Sequence, residues 1–237
     1  MPSRESARPS WLIAGVSVAG LAVAGLAIAL LVANTPATGP TSDLRSPGYE
    51  LPAAVEVEGR AIGRADAPLT LQVYSDFQCP ICRRFATDYL PRLVEEFVVP
   101  GRLRIVDEPI AILGTGVPDE SLDSAVGAVC AAEQDAYWSF HDWLFANQQG
   151  ENRGAFSRTR LASIAGDVVA DPDAWAACVD DPSRSTAVTA RTQSVLSAGI
   201  SSTPTFRLGD RLMTGLPRSY DDFRAVVEEA LALVPSA

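Results

Sequence analysis

Leu69-Thr70-Leu71-Gln72-Val73-Tyr74-Ser75-Asp76-Phe77-Gln78-Cys79-Pro80-Ile81-Cys82 is the stretch that decides the fold. Leu69 to Tyr74 reads as a buried strand, and two cysteines separated by two residues follow closely. Further on, Phe85, Tyr89, Leu93 and Phe97, with Ala86, Leu90 and Val94 beside them, recur at helical spacing and mark a helix face packed on a sheet. Pro91 falls inside that pattern and predicts a kink. Arg102 to Val106 reads as a second strand. Strand, helix and strand in this order predict a right-handed βαβ unit with parallel strands, and so an α/β fold.

A close cysteine pair at a strand-to-helix junction reads as a redox dithiol. The thiolate is the reactive form of cysteine. The first turn of a helix offers unpaired N–H groups and the positive end of the helix dipole, and both favour a thiolate there. Cys79, at the helix start, is therefore the expected nucleophile. Cys82, three residues on, lies on the same helical face, close enough to attack a mixed disulfide at Cys79 and release its product. It is the expected resolving thiol.

Working outward, Trp11 to Val32 is an apolar run of 22 residues without a charge. That is enough helix to cross a hydrocarbon layer about 30 Å thick. The run is longer than the apolar core of a cleaved signal and has a poor cleavage pattern, so it reads as an uncleaved signal anchor. Arg4 and Arg8 precede it, which places residues 1–10 in the cytoplasm and everything after the span outside. Residues 33–54, rich in Pro, Gly, Thr and Ser, read as a flexible linker. Residues 55–237 form the expected folded domain. Without the first 32 residues the chain carries 17 basic and 28 acidic residues, a net charge of −11. Such a surface argues against nucleic acid or anionic lipid as a partner.

Four cysteines in an exported domain are an even number, and the close pair leaves Cys130 and Cys178 to each other as a structural disulfide. The alternative is two buried free thiols. From about residue 120 to 199 the strand signal vanishes, and five helices are expected: Ser121 to Ala132, Asp135 to Asn147, Ser157 to Ala165, Asp171 to Val179 and Ser183 to Ala198. Asp171-Pro172 and Asp181-Pro182 look like helix starts, a capping residue followed by proline in the first turn. Thr205 to Leu208 and Arg211 to Thr214 then read as a hairpin turned by Gly209-Asp210, and a last helix runs from about Arg218 to Leu233.

These residues in this order resemble the thioredoxin superfamily, and within it the DsbA-like thiol:disulfide oxidoreductases. Residues 61–71 with Tyr74 to Cys82 resemble that family's first strand and active site, Tyr137 to Phe145 a helix of its inserted domain, and Gly199 to Phe206 its cis-proline loop. The match runs from about residue 55 to the C-terminus. It implies a thioredoxin fold with an inserted all-helical subdomain, and a cis bond between Thr203 and Pro204 beside Cys79. It also implies a substrate-binding surface made by Pro80, Ile81, Thr203 and Pro204, with the proline loop offering backbone groups to an extended polypeptide. The activity implied is a membrane-anchored, extracytoplasmic monomer that passes its Cys79–Cys82 disulfide to exported polypeptides. A quinone-linked membrane partner would reoxidise it, and neither a cofactor nor a metal is expected.

The chain departs from the family in one place. Oxidants of this type often carry histidine between the two cysteines, where Ile81 stands here, so the thiolate is expected to depend mainly on the helix terminus. His141, the single histidine, sits among Trp138, Phe140, Trp143, Leu144 and Phe145 and is expected to be a packed or capping residue. Asp107 and Glu108 are expected to be solvated at a strand end; the alternative is a carboxylate that moves the Cys82 proton. Asp76 is expected to serve a turn or cap. A reductase or isomerase of the same fold is the nearest competing function. A zinc or copper site is the distant one, since Cys130 and Cys178 stand alone and histidine is almost absent.

Overall fold

The computed structural model describes residues 43–234. The cytoplasmic tail and signal anchor expected over 1–32 lie outside them. Among the described residues no helix is long and apolar enough to cross a membrane.

Six strands form one sheet in the order β1-β2-β4-β3-β5-β6: β1 Val57–Glu58, β2 Ala61–Ile62, β3 Leu69–Ser75, β4 Leu103–Pro109, β5 Thr205–Leu208 and β6 Arg211–Thr214. β3 and β4 are parallel, and every other pair is antiparallel. The crossover between the parallel pair starts as α1 (Pro80–Arg84) and continues through a π-helical turn Phe85–Tyr89, α2 (Leu90–Leu93) and a second π-helical turn Val94–Val98. Pro91 accounts for the first wide turn. It has no N–H for the Thr87 carbonyl, and the backbone before it opens so that Leu90 N–H bonds the Phe85 carbonyl, five residues back. The expected kink is thus a widening of the helix. Its apolar face still meets the sheet, with Phe85 packed on Phe206 of β5 at 4.9 Å between ring centroids. Phe206 in turn meets Phe223 of the last helix at 5.0 Å.

Five helices are inserted between β4 and β5: α3 Glu120–Ala132, α4 Tyr137–Ala146, α5 Arg158–Val168, α6 Pro172–Asp180 and α7 Pro182–Ser197. The expected caps form. Asp171 accepts from Ala174 N at 2.9 Å and Asp181 from Ser183 N at 2.9 Å. Cys130 of α3 and Cys178 of α6 are joined by a disulfide. Gly127 lets the two helices approach: a Cβ there would lie 3.2 Å from the Trp175 ring, whose Nε1 donates to the Gly127 carbonyl at 2.9 Å. A last helix, α8 (Tyr220–Leu233), starts on a capping box made by Ser219 and Asp222.

The linker expectation needs correction where the structure describes it. Residues 43–54 are packed as a strap on the helical insertion. Arg45 N donates to Asn147 Oδ1 at 2.8 Å, Asn147 Nδ2 returns a bond to the Arg45 carbonyl at 2.9 Å, and Arg160 pairs with Asp43. Leu44 and Leu51 add apolar contact with the core. Prolines and glycines at 47, 48 and 52 give the strap its turns without preventing it from docking.

Candidate active site

β3 ends at Ser75, and the chain turns sharply to start α1. Asp76 makes that turn. Its carboxylate accepts from Gln78 N at 2.9 Å, from Ile112 N at 2.9 Å, from Leu113 N at 3.0 Å and from the Ser121 hydroxyl at 2.8 Å. One fully buried side chain thereby ties the turn to the loop after β4 and to α3 of the insertion. Burial pushes its carboxyl pKa up, while these hydrogen bonds pull it down. Asp76 is a turn residue, as expected, with a reach into two neighbouring segments that its local sequence does not announce.

Cys79 caps α1 with an extended backbone, φ −71° and ψ 119°, and Pro80 takes the first helical position. Both cysteines are free thiols. Cys79 is 6% exposed and Cys82 is 1% exposed. Their protonation is strongly asymmetric. The Cys79 thiol is drawn down to about 6, foremost by the hydrogen bond that Cys82 donates to it, with smaller help from the Thr203 side chain and the backbone N–H groups of Cys82 and Ile81; burial opposes this shift. Cys82 is pushed well above the ordinary thiol range, first by burial and then by the bond it gives to Cys79. The expectation that the helix terminus would be the main source of activation is therefore corrected. Pro80 has no N–H, so the first turn offers one donor fewer, and the partner thiol supplies the largest share. Alkylation of Cys79 is expected to reach half its limiting rate near pH 6, and measuring that rate against pH checks the assignment. A midpoint near the free-thiol value of about 8.5 would contradict it.

The Thr203–Pro204 bond is cis. The loop reaches the dithiol because β5 pairs with β3, Thr205 opposite Tyr74 and Phe206 opposite Val73, which sets residues 200–204 beside the strand end that leads to Cys79. Cys79 Sγ lies 3.3 Å from the Thr203 carbonyl oxygen, to which the protonated thiol donates. The sulfur opens on a cavity of about 580 Å³. Ile81, Ile112, Leu113 and Leu196 give its wall an apolar character, Thr203 closes one side, and among the described residues Glu151 is the one charged side chain on it. Ile81 itself is 45% exposed, so an aliphatic side chain, not an imidazole, meets whatever approaches Cys79. Cys79, Pro80, Ile81 and Thr203 all line this cavity. Pro204 is buried behind them, its carbonyl taken by Gly215 N at 2.9 Å.

Two other expectations resolve differently. His141 is 2% exposed, with its ring against Phe145 at 4.8 Å and Trp138 at 5.0 Å and its Nδ1 2.7 Å from Asp142 Oδ1, a packed histidine as expected. Asp107 and Glu108 are not solvated, being 1% and 6% exposed. β4 runs three residues further than its alternating pattern suggests, which carries both acids under the insertion. Asp107 accepts from Ser75 Oγ at 2.8 Å and from the Tyr137 hydroxyl at 2.5 Å, and burial pushes its pKa up. Glu108 pairs with Arg60 at 2.6 Å and with Arg191 at 3.3 Å. These partners tie β4 to the turn between β1 and β2 and to α7.

Three residues that sequence reasoning passed over also build the site. Gln78 is fully buried and donates to Ser121 Oγ at 2.9 Å, while its Oε1 accepts from Asn152 N. Gln148, after α4, donates to the carbonyls of Phe77 and Cys79. Ser121 left a readable sign, since with Ser124 it shares a helical stripe with Ala125 and Ala128, hydroxyls on a face of small buried residues. Gln148 left none: polar residues after a helix are ordinarily in water.

A dithiol at a strand-to-helix turn, a cis-proline loop against its first sulfur and a helical insertion closing the other side define a DsbA-like member of the thioredoxin superfamily. The thioredoxin family model matches residues 56–229, and the chain belongs to that family. Among curated proteins it is similar to the probable disulfide bond formation protein D of Bacillus cereus, 29% identical over 136 residues that cover 57% of this chain. The match spans 61% of that protein's length. The disulfide bond formation protein D of Bacillus subtilis is 23% identical over 171 residues, covering 72% of this chain and 76% of the relative. Among solved structures, oxidised BdbD from Bacillus subtilis superposes with a TM-score of 0.65 at 20% identity, over 79% of this chain and 100% of the other. DsbA from Chlamydia trachomatis superposes at 0.62 and 19% identity, over 73% and 92% of the two chains. At such identities the superpositions speak for the fold alone.

Proposed function

We propose that this chain is an extracytoplasmic thiol:disulfide oxidoreductase, anchored in the bacterial plasma membrane by residues 11–32, that forms disulfides in exported polypeptides. The observation that carries this reading is the placement of two free thiols at the start of α1, Cys79 Sγ on the cavity and 3.3 Å from the Thr203 carbonyl of the cis-proline loop with Cys82 buried behind it, an arrangement in which Cys79 is drawn down to about 6 and Cys82 pushed far up. A low-pKa sulfur is a good leaving group, so a mixed disulfide at Cys79 breaks readily in favour of the substrate. The step balances as follows. A substrate thiolate attacks Cys79 Sγ of the oxidised protein and the Cys79–Cys82 bond breaks, with Cys82 leaving and taking up a proton. The substrate's second thiolate then attacks its own bonded sulfur and expels Cys79 as a thiolate. The substrate has lost two electrons and, counting the ionisation of its two thiols, two protons: one is on Cys82 and the other goes to solvent, and the protein returns reduced, with Cys79 as a thiolate and Cys82 as a thiol. The apolar cavity beside Cys79 suits an extended segment with an aliphatic residue near its cysteine. A quinone-linked membrane protein is the proposed route of reoxidation, and the protein acts as a monomer.

The same asymmetry predicts a pH dependence of stability. The folded-state pKa of Cys79 is depressed, so its ionisation stabilises the reduced folded protein fully above the unfolded thiol value and loses that effect as pH falls through about 6. Cys82 is neutral in both states at pH 7 and adds nothing there. One unit above the folded pKa corresponds to about 1.4 kcal/mol at pH 7. Reduced protein is therefore expected to gain stability over Cys79→Ala between pH 5 and about pH 8, as read by denaturant midpoints at each pH. The oxidoreductase reading itself is tested by oxidation of a reduced, unfolded two-cysteine polypeptide and by the equilibrium constant with glutathione. Membrane-impermeant thiol labelling of intact cells tests the location. A couple as reducing as the cytosolic pool would sink the oxidant direction, and protection of Cys79 from the label would sink the location.

A further inference from the structure

Gln148 is 6% exposed, and its single amide nitrogen reaches the active-site turn from the helical insertion. Nε2 donates to the Phe77 carbonyl at 2.7 Å and to the Cys79 carbonyl at 3.0 Å, so both protons are spent on the turn, one on the Phe77–Gln78 peptide unit and one on the Cys79–Pro80 unit. The N–H side of the same turn is held from within: Cys79 N donates to the Asp76 carbonyl at 2.9 Å and Gln78 N to the Asp76 carboxylate at 2.9 Å. We propose that Gln148 is a positioning residue for dithiol–disulfide exchange, through which the helical insertion fixes the Cys79 backbone so that its sulfur meets the donors on Cys82 and Thr203. The proposal rests on the dithiol reading above.

Two physical arguments support it. First, the donors that favour a Cys79 thiolate belong to α1 and the proline loop, whereas the position of Sγ depends on how the Cys79 peptide is oriented. Rotation of that peptide swings Cβ and Sγ together, and hydrogen bonds to sulfur weaken steeply with misalignment. Arg83 N also bonds the Cys79 carbonyl, at 3.0 Å, but it is part of the helix that would move with the turn. Gln148 supplies the outside reference. Second, the Cys79 carbonyl oxygen carries partial negative charge on the same residue as the thiolate, and that residue is only 6% exposed. An amide proton on that oxygen offsets part of the repulsion. A bridge that served only the fold could end on any buried carbonyl; this one ends on the nucleophile's own.

Asn147, one residue earlier, is the natural control. Its bonds run the other way, to the carbonyls of Arg45 and Trp143, both at 2.9 Å. Gln148→Met keeps the shape of the side chain and removes both protons. Gln148→Asn keeps the amide but shortens its reach. The readouts are the ultraviolet titration of the Cys79 thiolate and the equilibrium constant with glutathione, each beside a melting curve. In Gln148→Met the thiolate fraction at pH 6 is expected to fall about fivefold, and oxidation by glutathione, measured at pH 8 where the Cys79 thiolate is nearly fully formed in both proteins, to become about tenfold more favourable, as a one-unit rise in thiol pKa requires. Gln148→Asn is expected to lie between Met and wild type. Asn147→Ala is expected to melt earlier while leaving both chemical readouts in place. If Gln148→Met fails to fold, Gln148→Asn decides by the same two measurements. A depressed wild-type thiol that neither Gln148 variant moves, or one that Asn147→Ala moves equally, overturns this proposal alone. An ordinary thiol titration in the wild-type protein overturns the dithiol reading and takes the proposal with it.

Discussion

Cys82→Ser is expected to turn the protein into a covalent trap, accumulating mixed disulfides through Cys79 that the wild-type protein does not retain. With Cys82 present, a disulfide between Cys79 and a foreign sulfur sits beside a thiol three residues away on the same helical turn, and attack by that thiol releases the foreign chain. Serine cannot make that attack. It can still donate a hydrogen bond, which matters because the Cys82 thiol is the largest single cause of the low Cys79 pKa. Serine should therefore leave Cys79 reactive, whereas Cys82→Ala removes the donor along with the resolving sulfur and should let the Cys79 titration climb toward the ordinary thiol value. Cys79→Ser removes the sulfur that meets the substrate and is expected to abolish exchange altogether, because Cys82 is 1% exposed and held protonated. Non-reducing gels of cells expressing each variant, followed by reduction in a second dimension, provide the comparison. Equal recovery of mixed disulfides from Cys79→Ser and Cys82→Ser would show that the two sulfurs do not divide the roles of nucleophile and resolving thiol, and recovery from Cys79→Ser alone would reverse the assignment.

Much of this site can be read without coordinates because its parts are local. A strand, a tight turn and a helix start need only hydrophobic alternation, a breaker and a proline, and residues 69–82 carry all of them in sequence. The insertion is legible for a similar reason: Asp171-Pro172 and Asp181-Pro182 satisfy helix termini with their own side chains, and each appears in the fold as a cap. What sequence does not announce are bonds made at long range by buried polar groups. Gln148 contacts a carbonyl 69 positions away, and Asp107 is held from the insertion by Tyr137, 30 positions away. No pattern of period two or 3.6 encodes such pairings, and the usual expectation for a glutamine after a helix, or an aspartate near a strand end, is water. The strap over 43–54 departs from its compositional expectation for the same reason. Its composition is that of a flexible tether, and only the clamp between Asn147 and the Arg45 backbone reveals that it is docked. The motif itself points to the backbone N–H groups of the first helical turn as the donors to Cys79, whereas the largest contribution comes from the Cys82 side chain.

Removing the second disulfide should separate stability from chemistry. Cys130 and Cys178 close a loop across 48 residues of sequence, and in the chain-entropy account a closure of that size constrains the unfolded state by about 4 kcal/mol. The Cys130→Ala, Cys178→Ala double variant is thus expected to lose about 4 kcal/mol, which for a domain of this size corresponds to a fall of about 8–16 °C in melting temperature. The bond joins the C-terminal end of α3 to α6, whereas the contact of α3 with the active-site turn, through Ser121, is at the other end of the helix. Below its melting point the double variant should accordingly keep the Cys79 titration near 6. The two sulfur pairs should also separate on reduction. The Cys79–Cys82 bond yields a dithiol whose first thiolate is stabilised by its surroundings, so mild reductant should open it first, while Cys130, 1% exposed, offers an attacking thiol little access. Mass spectrometry after differential alkylation reads both events. Simultaneous opening of the two pairs, or a shifted Cys79 in the double variant, would mean that the insertion's own cross-link takes part in setting the dithiol, and that the insertion and the thioredoxin core share one mechanical unit reaching as far as α6.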